Sequence, residues 1–401
     1  MKYIIVLGDG MSDEPVESLG GKTPLEYANT PTMDRLSYGG EVGRVHTIPE
    51  GMKPGSDTAN LSVLGYDPKK YYTGRSPLEA LSIGIPMKED DIAIRCNIVT
   101  ISEEDVPFEE KTMIDHSASE IETEDCAILL EAVKQELEAN PYAFYVGTSY
   151  RHCLIWNGGE VVELTPPHDI LEETIDAYLP TDAMLYEMTK KSHEILKDHP
   201  LNVERKKKGL NPANCCWFWG AGTKPSVTSF EEKTGKKGYM VSAVDLLKGI
   251  AVGAEMGVAH VEGANGGLHT NYAGKTNAAL KAITQDGYDF VYVHIEAPDE
   301  MSHQGSLERK IEAIEYLDEK VIAPLVSSLE EQGVAYRMLI MPDHPTPVRL
   351  RTHTSEPVPY LLYDSTQSLT DGATYGEQNA SQSGKSFQNG HEIMNYLLEL
   401  S

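Results

Sequence analysis

The residues richest in chemistry lie late in the chain: Asp299-x-x-x-His303, then Asp343-His344, then His353 nine residues on. Carboxylate oxygens and neutral imidazole nitrogens are the donor set that Mn²⁺ and Zn²⁺ accept. Asp9, in Gly8-Asp9-Gly10 near the amino terminus, offers one more oxygen. Each has a bland reading alone, the aspartates as turn or cap residues and the histidines as hydrogen-bonded surface groups. Six such residues at the ends of apolar runs point instead to a metal centre. A second feature is Pro54-Gly55-Ser56-Asp57-Thr58-Ala59-Asn60, a turn leading into Leu61, Val63 and Leu64. Ser56 could cap a helix, its hydroxyl accepting from backbone amides. It could also be a nucleophile, because a metal lowers a hydroxyl's pKa and exposed amides at a helix start hold an anion. Spacing alone favours the cap.

Positioning these groups falls to three continuous apolar runs, residues 3–7, 290–295 and 338–341, which break at Gly8-Asp9-Gly10, Glu296-Ala297-Pro298-Asp299 and Pro342-Asp343-His344. They read as buried strands ending in loops. In open, mostly parallel α/β sheets the ligand crevice lies outside the carboxyl ends of the strands, so the sheet can gather acids from both ends of the chain. Amphipathic stretches at 275–283 and 307–317 supply the helices of an α/β alternation. The middle differs. Residues 92–101 read as strand, 122–137 as helix, 143–146 and 152–156 as adjoining strands and 183–196 as helix, an α+β insertion. A polar stretch at 198–212 leads out of it, with Arg205-Lys206-Lys207-Lys208 expected as a solvated loop, and strand character resumes at 216–219. The expected organisation is a discontinuous core, 1–90 with 206–401, and an inserted lid, 91–205, hinged near 88–91 and 206–213, with the active crevice between them.

A length of 401 residues with 40% hydrophobic and 24% charged side chains fits two or three globular domains and excludes a coiled coil, collagen-like repeats and wholesale disorder. Against 34 Lys and Arg stand 62 Asp and Glu, a net charge of -28 that repels phosphodiester backbones, so nucleic acid is not an expected partner. No apolar run approaches the roughly 18 residues of a membrane span, and the one at 3–7 is too short for a secretory core. A cytoplasmic protein without a membrane partner is expected. The five cysteines are odd in number, lack C-x-x-C spacing and include the adjacent Cys215 and Cys216, which reads as reduced core thiols.

The stretch PGSDTANLSVLGYDP, together with GDGMSD, EAPDEMSHQG, MPDHPTPV and the later THT, is similar to the archaeal-type branch of the cofactor-independent phosphoglycerate mutases, within the alkaline phosphatase superfamily. The likeness runs through nearly the whole chain with the segments in order. It implies an alkaline phosphatase-like α/β core, its mostly parallel sheet covered by helices on both faces, carrying an inserted α+β lid and a pair of divalent metals. One would be held by Asp9, Ser56, Asp343 and His344, the other by Asp299, His303 and His353. Mn²⁺ is the first choice, with Zn²⁺ or Mg²⁺ as alternatives, and no 2,3-bisphosphoglycerate is required. Ser56 would take a phosphoryl group from a small phosphorylated substrate and return it to another hydroxyl, interconverting 2-phosphoglycerate and 3-phosphoglycerate.

Candidates for holding the substrate's remaining charge are Arg75, Arg95, His116, Arg151, His152 and Lys275, and the resemblance strengthens Arg151, His152 and Lys275. One stretch departs from the family. Residues 114–120 hold His116 and Glu120 but no arginine, where the archaeal mutases tend to be arginine-rich. Phosphate and carboxylate favour planar guanidinium forks. The departure therefore opens a second reading, a homoserine kinase-like phosphotransferase in which Asp115 or Glu120 pairs with an ammonium group. A third, a non-catalytic metal-binding protein on the same fold, requires Ser56 or a ligand type to be replaced, and none is. The oligomeric state is not legible.

Overall fold

The computed structural model describes residues 1–369 and 373–399. The chain divides into two units, Met1–Tyr72 with Ser226–Ser401 (unit 1) and Thr73–Pro225 (unit 2). Among the described residues the strands run β1 (Lys2–Gly8) and β2 (Glu41–Val45) in unit 1, then β3 (Asp91–Ile101), β4 (Met113–Asp115), β5 (Tyr142–Thr148), β6 (Arg151–Asn157) and β7 (Cys215–Thr223) in unit 2. They continue in unit 1 with β8 (Gly238–Val241), β9 (Gly257–Val258), β10 (Phe290–Ile295), β11 (Tyr336–Met341), β12 (Val358–Asp364) and β13 (Ser386–Phe387).

Unit 1 is built on a sheet of order β13-β2-β12-β11-β1-β10-β8-β9. β1 lies parallel between β10 and β11, with Leu7 opposite both His294 and Met341 and Gly8 opposite Ile295. That register brings the residues after the three strands out at one level, which is how positions 9, 296 and 342 become neighbours. β12 runs antiparallel to β11 and to β2. Ile4, Ile5, Val6 and Leu7 are all fully buried, the signature of a parallel strand covered on both faces. Ile4 and Val6 join Val291, Val293, Met338 and Ile340 in one cluster with Ile314 and Leu317 of the helix Leu307–Leu317. Each such side chain contributes roughly 1.5–3 kcal/mol by leaving water, so the strand ends that carry the acids rest on a fully buried core.

Unit 2 is antiparallel throughout. β3 pairs with β6 and β7, β5 lies beyond β6, and β4 pairs with the end of β3. Alternate residues Ile92, Ile94, Cys96 and Ile98 face Leu129, Leu130 and Val133 of the helix Thr123–Leu137 and Leu185 and Met188 of the helix Ala183–Leu196, as the two-residue period of a strand requires. All five cysteines are buried and unbridged.

Two expectations are corrected here. The strand at 216–219 does not belong with the metal-bearing sheet: as β7 it pairs with β3 from Val99 to Ile92. The helix Arg75–Ser82 also belongs to unit 2, where Ser76 Oγ donates to the Gly220 carbonyl at 2.5 Å and Ala80 packs with Ala93. The units therefore part at 72/73 and 225/226 rather than near 90 and 206. Nor is the basic run a solvated loop. Pro200–Lys207 is a helix with Pro at its first position, a His199 side-chain cap and basic residues in its last turn, an order that matches helix termini and dipole. Arg205 is buried and donates through Nη2 to the Ala118 carbonyl. Among the described residues no helix is long and apolar enough to cross a membrane.

Candidate metal centre

The expected ligands in unit 1 come together. The helix Ala297–His303 starts directly after β10, and its i,i+4 spacing places Asp299 and His303 on one face, with Asp299 Oδ2 3.1 Å from His303 Nε2. His353 returns on the loop after β11, its Nε2 3.4 Å from Asp299 Oδ1 and 3.1 Å from His303 Nε2. Asp9 and Asp343, from the ends of β1 and β11, flank His344, whose Nε2 lies 3.5 Å from Asp9 Oδ1 and 3.4 Å from Asp343 Oδ2. The ligand atoms fall into two groups within 4.8 Å, one of Asp299, His344 and His353 and one of Asp9, His294 and Asp343. His344 belongs to the first group, and its Nε2 also approaches Asp9 and Asp343 of the second. Ser56 opens the helix Ser56–Val63, but Gly55 occupies the cap and no side chain caps the amides. The Ser56 hydroxyl faces His344 instead, with Oγ 3.1 Å from Nε2.

The electrostatics favour a cation. Burial, then the charges of Asp343 and Asp299, drives Asp9 well above the usual carboxylate range. Asp9 Oδ1 is buried without a hydrogen-bond partner. Burial raises Asp299 too, but His303 and His353 outweigh it and hold that carboxyl well below its usual range. His303 gives its Nδ1 proton to the Arg351 carbonyl at 2.9 Å, so in the neutral ring Nε2 is a bare lone pair. Hydrogen bonding to Asp299 draws His303 up to about 9, which means a proton sits where a metal would fit. Burial holds His344 below its ordinary value and keeps it neutral, as a ligand must be. Three buried carboxylates and convergent imidazoles fit divalent metal ions.

Several supporting residues are not legible as functional in the sequence. Asn60, fully buried, donates through Nδ2 to the Ser56 carbonyl at 2.7 Å and to Asp343 Oδ2 at 2.9 Å, and accepts from Tyr292. It ties the serine's helix to the end of β11. His294, inside β10, lies with Nε2 3.1 Å from Asp9 Oδ2 and Nδ1 3.3 Å from Glu296 Oε1. Burial lowers its pKa, but the two carboxylates outweigh burial and push it up to about 10. The only sequence signal was a histidine interrupting an apolar run. Lys275, expected at the substrate, is corrected by its burial: its side chain is 0% exposed, ion-paired to Glu296 and 3.1 Å from the His294 carbonyl. Its charge neutralises Glu296.

In unit 2 the expected cations form one chain of contacts. Glu79 accepts from Arg75 Nε at 2.8 Å and lies 2.9 Å from Arg95 Nε. The Arg95 guanidinium stacks 4.2 Å from the Trp219 ring, and burial lowers its pKa to about 10. Trp219 meets His168 at 5.2 Å between ring centroids, His168 meets His116 at 6.1 Å, His116 meets Tyr150 at 5.8 Å, and Arg151 lies 5.1 Å over Tyr150. His168, Trp219 and Tyr150 were missed, since single aromatics in strands and loops read as core. His152 is the second correction among the expected substrate contacts. It points to the opposite face of β6 from Arg151, buried, with Nδ1 accepting from the Gly147 amide at 3.1 Å and Nε2 3.0 Å from Cys126 Sγ. Asp115 is likewise occupied by Ser117, Ser119 and Asn211. Burial raises its pKa, but those bonds outweigh it and bring it to about 2.

A serine at the head of a helix, facing imidazoles and carboxylates gathered at the ends of three parallel strands, defines a metal-dependent phosphotransferase core. The chain belongs to the family of 2,3-bisphosphoglycerate-independent phosphoglycerate mutases. A family model of that description matches residues 38–202. A Geobacter sulfurreducens protein named as a probable member is 45% identical over 100% of both chains. A Methanothrix thermoacetophila member is 44% identical over 99% of this chain and 100% of its own. Among solved structures, a Pyrococcus horikoshii protein superposes with a TM-score of 0.82 at 31% identity, covering 100% of this chain and 98% of that one. A cofactor-independent phosphoglycerate mutase from Thermoplasma acidophilum gives 0.67 at 28%, covering 100% and 99%. These relatives support the mutase reading and lend nothing to the homoserine kinase alternative; of its two candidate ammonium partners, Asp115 and Glu120, Asp115 is already engaged. The non-catalytic reading falls with it.

Proposed function

We propose that this protein interconverts 2-phosphoglycerate and 3-phosphoglycerate through a phosphoryl group carried on Ser56, with no need of 2,3-bisphosphoglycerate. The observation that carries the reading is the Ser56 hydroxyl 3.1 Å from His344 Nε2 within the converged acids. Asp9, Ser56, Asp343 and His344 would hold one divalent ion and Asp299, His303 and His353 another, with Mn²⁺ ahead of Zn²⁺ or Mg²⁺. Bound there, the ions would lower the hydroxyl's pKa and neutralise the phosphoryl oxygens. Ser56 Oγ forms a bond to phosphorus as the bond from phosphorus to one glycerate oxygen breaks. The serine proton is lost and the departing oxygen gains one. The reverse transfer, to the other glycerate hydroxyl, frees Ser56.

A protein of net charge -28 needs local cations to hold such an anion. Among the side chains of unit 2, Arg75, Arg95 and Arg151 carry the charge suited to that role, and His116 lies beside Tyr150. Guanidinium groups suit carboxylate and phosphate. The five buried thiols support a reducing, cytosolic setting. The test offers 3-phosphoglycerate alone to Mn²⁺-loaded protein and follows phosphorus NMR. 2-Phosphoglycerate should appear, stop with chelator and resume with Mn²⁺; inorganic phosphate as the sole product would refute the mutase reading.

A further inference from the structure

We infer that Thr346 is a positioning residue whose single hydroxyl fixes the proton of His344 and couples the two halves of the metal centre. The inference rests on the divalent-metal reading of that centre. Thr346 lies two residues beyond His344 and is fully buried. Its Oγ1 is 2.6 Å from Asp299 Oδ1 and 3.2 Å from His344 Nδ1. A carboxylate can only accept and a hydroxyl has one proton, so the short contact to Asp299 takes that proton. What remains toward His344 is a lone pair, and Nδ1 must therefore be the donor. In the neutral ring this leaves Nε2 bare. Nε2 is the nitrogen that faces Ser56 Oγ at 3.1 Å, Asp343 Oδ2 at 3.4 Å and Asp9 Oδ1 at 3.5 Å. The tautomer set by Thr346 is thus the one a metal ion at that half requires.

The same hydroxyl orients Asp299, which lies beside His303 and His353 and in the proposed ligand assignment holds the other ion with them. Thr346 is itself held on three sides. Its amide donates to the Ser12 carbonyl at 3.2 Å, and its carbonyl accepts from buried Lys310 Nζ at 3.0 Å. On the third side stands Gly10, where a Cβ would lie 2.5 Å from Thr346 Oγ1.

The experiment titrates Mn²⁺ into the chelator-stripped full chain as wild type, Thr346→Val and Thr346→Ser, with melting of the stripped forms as the folding control. Valine keeps the shape and loses the hydroxyl. It should weaken Mn²⁺ binding at both steps by roughly 10- to 100-fold, the range for losing a partner of a metal ligand, while serine retains nearly wild-type affinity. Unchanged affinity in the valine variant, loss at one step only, or a serine variant as weak as the valine would overturn the inference. A measurement on stripped wild type needs no variant: nitrogen NMR of labelled histidine should find the His344 proton on Nδ1, and a proton on Nε2 alone would overturn it. Both readouts omit substrate. A failed 3-phosphoglycerate assay leaves them standing, whereas wild type that binds no Mn²⁺ sinks the metal reading itself.

Discussion

Gly10 shows how little room surrounds the acids. It has φ of +59° and donates its amide to Asp343 Oδ1 at 3.1 Å, and a Cβ there would stand 2.5 Å from Asp299 Oδ1 as well as from Thr346. Left-handed backbone at a non-glycine residue costs about 1–2 kcal/mol, and the clash adds displacement of Asp299 and of Thr346 beside it. Gly10→Ala should therefore fold less stably and hold less metal than wild type after identical loading and dialysis, by at least about tenfold in affinity; metal analysis showing equal content would contradict this. The acids and histidines were legible because a carboxylate after an apolar run is unusual in a way the chain records locally. Asn60, Thr346 and His294 were not. Each looks like an ordinary polar residue until the sheet register puts it beside a ligand.

At the scale of elements, the strands that carry the site are legible because β1, β10 and β11 are built on apolar runs, broken in β10 by His294, whereas the sheet to which β7 belongs is not. Its pattern announces a buried strand, but its partner β3 lies more than a hundred residues earlier, and pairing over such a separation is not written in local periodicity. The helix Pro200–Lys207 was missed for the opposite reason: its charge suggested solvent, whereas Pro200 and His199 start a helix that buries Arg205. His152 offers a test of how unit 2 is built. Burial lowers its pKa from the ordinary 6.5 to about 4, so the unfolded chain binds the proton more readily between those values. Stability that is present above pH 6.5 should fall as pH drops toward 4, by about 3 kcal/mol at 1.36 kcal/mol per unit. Denaturant unfolding across that range should show the decline, and His152→Gln should lose most of the slope. An unchanged slope in the variant would show that other groups set it.

At the scale of the whole molecule, an acidic chain divides its labour between two units. Unit 1 presents the acids and histidines of a metal centre on a parallel sheet, and unit 2 presents arginines and aromatic rings on an antiparallel one. The acids would repel a phosphate without metal, and the arginines are the groups suited to hold it, which is why net charge alone says little about the substrate. The most direct test quenches Mn²⁺-loaded protein during turnover of 3-phosphoglycerate and maps the phosphorylated peptide by mass spectrometry. The phosphoryl group should sit on Ser56, and Ser56→Ala should carry none and produce no 2-phosphoglycerate. Phosphate on another residue, or turnover surviving in Ser56→Ala, would contradict the account.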